Sequence, residues 1–283
     1  MMIRSYKTMQ RLYDVLTYSI LAFVGVFSVF PVVWTFLTSL KRNEDVVTAN
    51  LQYIPHNPTF ENYVELWSRK SFITLFGNSI IVTALTVSIC LIVGACAAYA
   101  FSRYRFPGRN SMMVGFLLIR MFPMVLMLIP LFIIMRNLNL LNTRLGLALA
   151  YTTFLLPIAT WMLKGFFDAI PPDLEEAARI DGATRAGAII RVVLPLAAPG
   201  VAATAVLTAI ASWNEFLFAL MFTSSESAQT WPVGLHLLVG GEFNLPWGLL
   251  SAGGIISIAP IIVFFVLAQK SLVRGLMQGA VKG

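Results

Sequence analysis

Charged side chains are scarce in this chain, 12% of its 283 residues, against roughly 25% in soluble domains. Apolar residues reach 58%. That balance excludes a water-soluble globule, and it excludes intrinsic disorder, which goes with few apolar residues. A bilayer is therefore the expected solvent. Histidine is nearly missing: His56 and His236 both fall outside the apolar runs. An intramembrane hydrolase, which needs a base beside its nucleophile, is left without one. No His, Cys or carboxylate cluster has metal-ligand spacing, so no metal site and no catalytic residue is expected. The two cysteines, Cys90 and Cys96, lie in one apolar run. Six residues apart on a helix they point about 240° from one another, so they read as packing residues. No glycine is followed by lysine anywhere, which excludes a P-loop and with it any ATP hydrolysis by this chain.

What is present is apolar sequence in long runs. A hydrocarbon core takes roughly 20 helical residues to cross. Six stretches qualify: 15–40, 77–101, 111–135, 145–163, 200–222 and 249–269. The fold class expected is an all-α polytopic membrane protein with six transmembrane helices, forming a single permease domain over residues 1–283. The first stretch follows Arg4, Lys7 and Arg11, but it is too long for a signal peptide's apolar region and reads as an uncleaved span.

The excess of Lys and Arg over Asp and Glu, 20 against 13, raises nucleic acid as a partner, but topology explains it better. With the N-terminus inside, the inner segments hold Arg4, Lys7, Arg11, Arg103, Arg105, Arg109, Lys164, Arg179, Arg185, Arg191, Lys270, Arg274 and Lys282. Six others, Lys41, Arg42, Arg69, Lys70, Arg136 and Arg144, fall outside. Positive loops stay in the cytoplasm, so both termini are expected there, in a multi-pass protein of a prokaryotic cytoplasmic membrane. The outer connections are loops, with a short interfacial helix expected around Glu61 to Trp67.

Spans four and five are separated by 36 residues, where helix-to-helix connections usually take about 2 to 8. Within residues 171–196, Pro171 and Pro172 stop the preceding span and Asp173 stands as an N-cap, with Glu175 and Glu176 in the first turn. Gly182 suits the left-handed position after a helix end. Thr184 caps a second helix that Pro195 terminates. The result is a helical hairpin with small residues at Ala177, Ala178, Gly182 and Ala183 flanked by charge. An amphipathic segment lying on lipid is the competing reading. Four acids among residues 173–181 argue against anionic lipid as its partner.

The spacing Glu176-Ala177-Ala178, Gly182, Val192, Leu194-Pro195 resembles the EAA loop of ABC importer permeases, with Val192 where that pattern prefers isoleucine. The segments MFPMVLMLIPLF, LLNTRLGLALAY, GFFDAIPPDLEEAARIDGA, SWNEFLFAL and GLMQGAVKG are similar to maltose-type carbohydrate permeases, in particular the smaller six-span partner of a permease heterodimer. The resemblance implies the type I ABC importer fold, in which the hairpin is the coupling helix seated in an ATPase cleft. Glu175, Glu176, Ala177, Ala178, Asp181, Gly182, Val192, Leu194 and Pro195 would then couple the chain to the ATPase. It implies as partners a second homologous permease subunit, two ATPase subunits that use ATP and Mg, an extracytoplasmic sugar-binding protein, a saccharide substrate and membrane lipid. This chain itself would bind no cofactor and no nucleic acid. The loop from Gly240 through Gly241, Glu242, Phe243 and Asn244 to Pro246 matches one that reaches into the binding protein. The tail Gly279, Ala280, Val281, Lys282 and Gly283 matches a segment that contacts the ATPases.

Arg120 and Glu215 sit at membrane depth, where ionisable residues are functional suspects. They pair with one another or a partner, or they touch substrate. In the resembled family the position of Arg120 commonly carries an uncharged polar residue; a guanidinium there suits a carboxylated or phosphorylated sugar. Trp213, Asn214 and Glu215 have the chemistry to bind a pyranose, and equally to pack against a partner. Pro123, Pro130, Pro157 and Pro260 are expected to kink their spans. The rival functions are an ion-coupled secondary transporter, for which only Glu215 would serve as the membrane acid, and an importer for a non-sugar solute such as a glycerophosphate.

Overall fold

The apolar runs form helices because inside a bilayer every backbone N–H and C=O has to be satisfied within its own segment. The computed structural model describes residues 2–47, 52–238 and 245–280, and no strand occurs among them. In chain order the helices are α1 Met2–Ser39, α2 Asn43–Val46, α3 Glu61–Ser68, α4 Lys70–Arg103, α5 Arg109–Met121, α6 Met124–Asn137, α7 Arg144–Asp168, α8 Pro172–Ile180 and α9 Arg185–Ala188. A π-helical turn, Ile189–Val193, leads into α10 Leu194–Trp213, followed by α11 Leu217–Phe222, α12 Trp231–Leu237 and α13 Trp247–Ala280. Among the described residues five helices are long and apolar enough to cross a membrane, or six if the bent pair α5 and α6 counts as one span.

The third expected span is not one helix. It breaks at Phe122–Pro123, where α5 and α6 meet at 102°. Phe122 takes an extended conformation, with ψ at 131°, because the ring of a following proline crowds the α region. Pro130, Pro157 and Pro260 lie inside continuous helices, so of the four prolines expected to kink, one breaks its span outright. The fifth expected span also differs: α10 ends at Trp213, and residues 214–216 separate it from α11. The last helix continues past the expected end at Gln269 to Ala280, and the interfacial helix expected near Glu61 is α3.

The chain divides into two compact units, 1–69 with 238–258, and 70–237 with 259–283. In the first, α1 exposes its apolar side chains from Leu12 to Phe36, as a lipid-facing helix does. Its end at Ser39 is clamped. The Asn62 amide donates to the carbonyls of Ser39 and Lys41, both at 2.8 Å, and Gly248 N donates to Asn43 Oδ1 at 3.0 Å. A side chain at Gly248 would collide with Asn62 and the Lys41 carbonyl, so only glycine lets the start of α13 approach this turn.

In the second unit α4 packs along α7 and α10 against both. One apolar cluster joins Val82, Leu147, Tyr151, Phe154, Phe218, Phe222 and Val233. Another joins Ala98, Tyr99, Leu163, Phe167, Ile170, Val193 and Ala197. The second cluster lies directly under the hairpin, because Ile170 precedes α8 and Val193 closes the π turn. Polar ties hold the loops: Asn78 donates to the carbonyls of Glu226 and Gln229 at 2.8 and 2.7 Å, and the Asn142 side chain accepts from the amides of Ser224 and Ser225, both at 3.0 Å.

Candidate functional site: a hairpin anchored to the core

The hairpin begins at two prolines. Pro171 is extended and Pro172 opens α8, with Asp173 in the first turn and no side-chain cap. The N-cap expected at Asp173 is therefore displaced by two residues, since proline's fixed φ and missing N–H suit it to the first helical position. At the other end of α8, Gly182 has φ of +90°. Gly182 N donates to Arg179 O and Ala183 N to Ala178 O, at 3.1 and 3.0 Å. That pair is a Schellman closure, and it needs a left-handed residue. Thr184 then caps α9 by accepting from Gly187 N at 3.1 Å.

Pro195 does not end the second helix, contrary to the expectation from its sequence. Ahead of it the backbone shifts into π register, with Leu194 N donating to Ile189 O, and the helix runs on through α10. A π turn lets the ladder accommodate a residue with no N–H. The hairpin's second arm and the fifth span are thus one continuous rod, Arg185–Trp213.

The two adjacent glutamates face opposite ways. Glu175 is 7% exposed and turns inward, where one carboxylate oxygen accepts from the Tyr99 hydroxyl and the other from Arg103 Nε at 3.3 Å. Arg103 also donates to Ile170 O at 3.0 Å. Ser102 donates to Asp168 at 2.6 Å, and Arg185 donates to the Tyr104 hydroxyl at 2.7 Å while lying over its ring. The end of α4 and the residues just after it therefore hold both arms of the hairpin. Glu176, Ala177, Asp181, Gly182 and Pro195 are exposed, Ala178, Val192 and Leu194 half-buried. Leu174 and Ile180 stand out from the same arm, Ile180 at 86% exposure.

Tyr99, Arg103, Ser102, Tyr104 and Asp168 carry no sequence signal for this role. Arg103 counts only as a topology charge until the fold brings it to Glu175, 72 residues away.

Of the residues expected along a substrate path, Trp213, Asn214 and Glu215 lie at the end of α10 and the break after it, and Arg120 lies at the end of α5. Trp213 is buried at 2% exposure, with its ring edge-to-face on Phe76 at 5.3 Å. The Asn214 amide donates to Ile210 O at 2.9 Å. Glu215 accepts from the amides of Phe218 and Ala219, at 2.8 and 3.2 Å, and so caps α11. Arg120 is exposed in the last turn of α5. Among the described residues no ion pair joins it to Glu215. Of the residues resembling the binding-protein loop, Gly240, Gly241, Glu242, Phe243 and Asn244 lie outside the described residues. So do Val281, Lys282 and Gly283 of the tail, while Gly279 and Ala280 close α13.

Long apolar helices, one candidate span broken at Phe122–Pro123, and a polar hairpin locked to the core and continuous with a span define a polytopic helical membrane protein. The family model for binding-protein-dependent transport system inner membrane components matches residues 90–278, and the chain belongs to that family. It is 41% identical over 254 residues to the sulfoquinovosyl glycerol transport system permease protein SmoH of Agrobacterium fabrum, covering 90% of this chain and 89% of that one. It is 42% identical over 258 residues to the trehalose transport system permease protein SugB of Mycobacterium tuberculosis, covering 91% and 93%. A chain in the crystal structure of a bacterial ABC transporter involved in the import of the acidic polysaccharide alginate is similar at TM-score 0.78 and 25% identity, over 93% of this chain and 97% of that one. The chain is a multi-span permease subunit of an ABC importer served by a binding protein. The ion-coupled alternative is set aside by this membership.

Proposed function

We propose that this chain is the smaller permease of a heterodimeric importer that moves a saccharide, with an anionic saccharide favoured by the exposed Arg120 guanidinium. Residues 1–283 act as one permease domain beside a second, homologous permease, with both termini in the cytoplasm and the sugar delivered by an extracytoplasmic binding protein. Two ATPase subunits hold and hydrolyse ATP with Mg. Their closure enters this chain through the exposed side of α8, at Glu176, Ala177, Ala178, Asp181 and Gly182, with Leu174 and Ile180 as the apolar contacts. The tail Gly279 to Gly283 contacts the ATPases, and the loop Gly240 to Asn244 meets the binding protein.

The observation that carries this reading is the hairpin's rigid connection: α8 is pinned to α4 through Glu175, and α9 runs unbroken into α10. A push on α8 has no slack in which to dissipate before it reaches the spans. The substrates of SmoH, of SugB and of the alginate importer, as their names state them, support a saccharide cargo. Gly182→Pro tests the coupling, since proline cannot take a φ of +90°. The variant should insert and assemble normally while ATP hydrolysis in reconstituted vesicles no longer drives uptake. Normal uptake by Gly182→Pro would reject the coupling role.

A further inference from the structure

The first unit contains a cavity of about 730 Å³ between the Ser39 end of α1, the turn after it and the start of α13. Small-molecule sites fall between roughly 300 and 1,000 Å³. Trp34 and Trp247 line it together with Lys41, Asp45, Gln52 and Ser251. Lys41 is the unusual member. It is 6% exposed, and among the described residues it takes part in no ion pair. Its ammonium donates to the Gln52 carbonyl and lies 5.7 Å from the centre of the Trp34 ring. An ammonium has three donors, and the Gln52 carbonyl takes one.

A buried charge is retained against a desolvation penalty only when it has partners. An aromatic girdle at the membrane boundary accounts for two tryptophans, but not for an ammonium held over the Trp34 ring without an ion pair among the described residues. Two indole rings in the lining, an ammonium with donors to spare, a carboxylate at Asp45 and a hydroxyl at Ser251 together match a pyranose. Its C–H face stacks on an aromatic ring, and its rim of hydroxyls needs donors and acceptors side by side. The Asn62 side chain and the absence of one at Gly248 fix the Lys41 turn against the start of α13, so the two parts of the cavity wall that carry Lys41 and Trp247 are tied together.

From this juxtaposition we infer that the cavity bordered by Trp34, Lys41 and Trp247 is a saccharide subsite, taking one pyranose unit on the side of the membrane where the binding protein releases its cargo. The inference rests on the permease reading above and adds to it a place where this chain itself contacts sugar. Neither Arg120 nor any residue of the break after Trp213 is among its lining residues.

The test uses the complete transporter with its binding protein in proteoliposomes, and a panel of trehalose, maltose and alginate di- and trisaccharides. Trp34→Ala and Trp247→Ala should each raise the KM for uptake about tenfold, the loss expected for a stacking aromatic anchor. Trp34→Phe and Trp247→Tyr should recover most of it. Independently, a Ser251→Cys reporter in a Cys90→Ser, Cys96→Ser background should react more slowly with a maleimide when the transported sugar is present. That protection should vanish in Trp34→Ala. A preference for the alginate fragments would assign the remaining Lys41 donors to a carboxylate, and a preference for the neutral disaccharides would assign them to hydroxyls. KM within about twofold of wild type in both alanine variants, or labelling indifferent to sugar, overturns the subsite while leaving the permease reading intact. Absence of wild-type uptake across the whole panel overturns the saccharide reading and the subsite with it.

Discussion

Arg103 and Glu175 form the most buried ion pair among the described residues, 3.3 Å apart with side chains 12% and 9% exposed. Arg103 closes α4 and Glu175 sits in the first turn of α8, so the pair ties a span to the element on which the ATPase is proposed to act. Removing one member of a buried pair strands the other charge and costs about 3–5 kcal/mol. Arg103→Ala is expected to speed amide exchange across residues 172–180 and to weaken coupling of ATP hydrolysis to uptake. Arg103→Met combined with Glu175→Leu is expected to recover much of the exchange protection, because two apolar side chains leave no stranded charge. Exchange measured by mass spectrometry on all three proteins checks both statements.

Pro123 is expected to cause the break in the third span. In Pro123→Ala, residue 122 regains access to the α region and the missing N–H returns. Spin labels at Met112 and Ile134, both exposed, are expected to move apart toward about 33 Å, the length of 22 residues of straight helix. An unchanged separation would assign the bend to packing around it.

Gly200 marks the crossing of α10 over α7. A Cβ placed there would overlap the ring of Phe166, so Gly200→Ala forces a rigid side chain aside. A loss of about 1–3 kcal/mol is expected from such overpacking. Phe166→Leu in the same chain should return part of it, as read by thermal unfolding in nanodiscs.

Glu215 holds two amides at the start of α11. Glu215→Ala should accelerate exchange at Phe218 and Ala219 and weaken this helix end by about 1 kcal/mol, the usual worth of a side-chain cap. If its role is this cap, uptake of neutral and anionic sugars falls together. A loss confined to one class would give the carboxylate a part in the substrate path.

Arg120 stands exposed and has no ion pair among the described residues. Arg120→Gln is expected to lower uptake of anionic saccharides while sparing neutral ones, because glutamine keeps a hydrogen-bond donor and loses the charge. Equal losses for both classes would make Arg120 a structural residue.

Local chemistry made much of the hairpin legible. Gly182 and Thr184 do what their residue types suit them to do, because a left-handed closure and a hydroxyl cap each depend on only a few neighbouring residues. Asp173 and Pro195 went the other way for equally local reasons: two prolines outrank a carboxylate at a helix start, and a π turn carries the backbone past a proline. The bend at Phe122 was legible as a kink at Pro123 but not in its size, since how far two helices swing at a break is set by what they pack against.

Apolar run length determined that the protein is a polytopic helical membrane protein, because a bilayer admits few solutions for a backbone and a spanning helix leaves a long apolar run in the sequence. Only the tertiary structure decided which of two adjacent glutamates looks inward, why Arg103 matters, and that Trp34, Lys41 and Trp247 share one cavity. Those are relationships between residues far apart in the chain, and no local preference of either partner encodes the distance that folding brings them to.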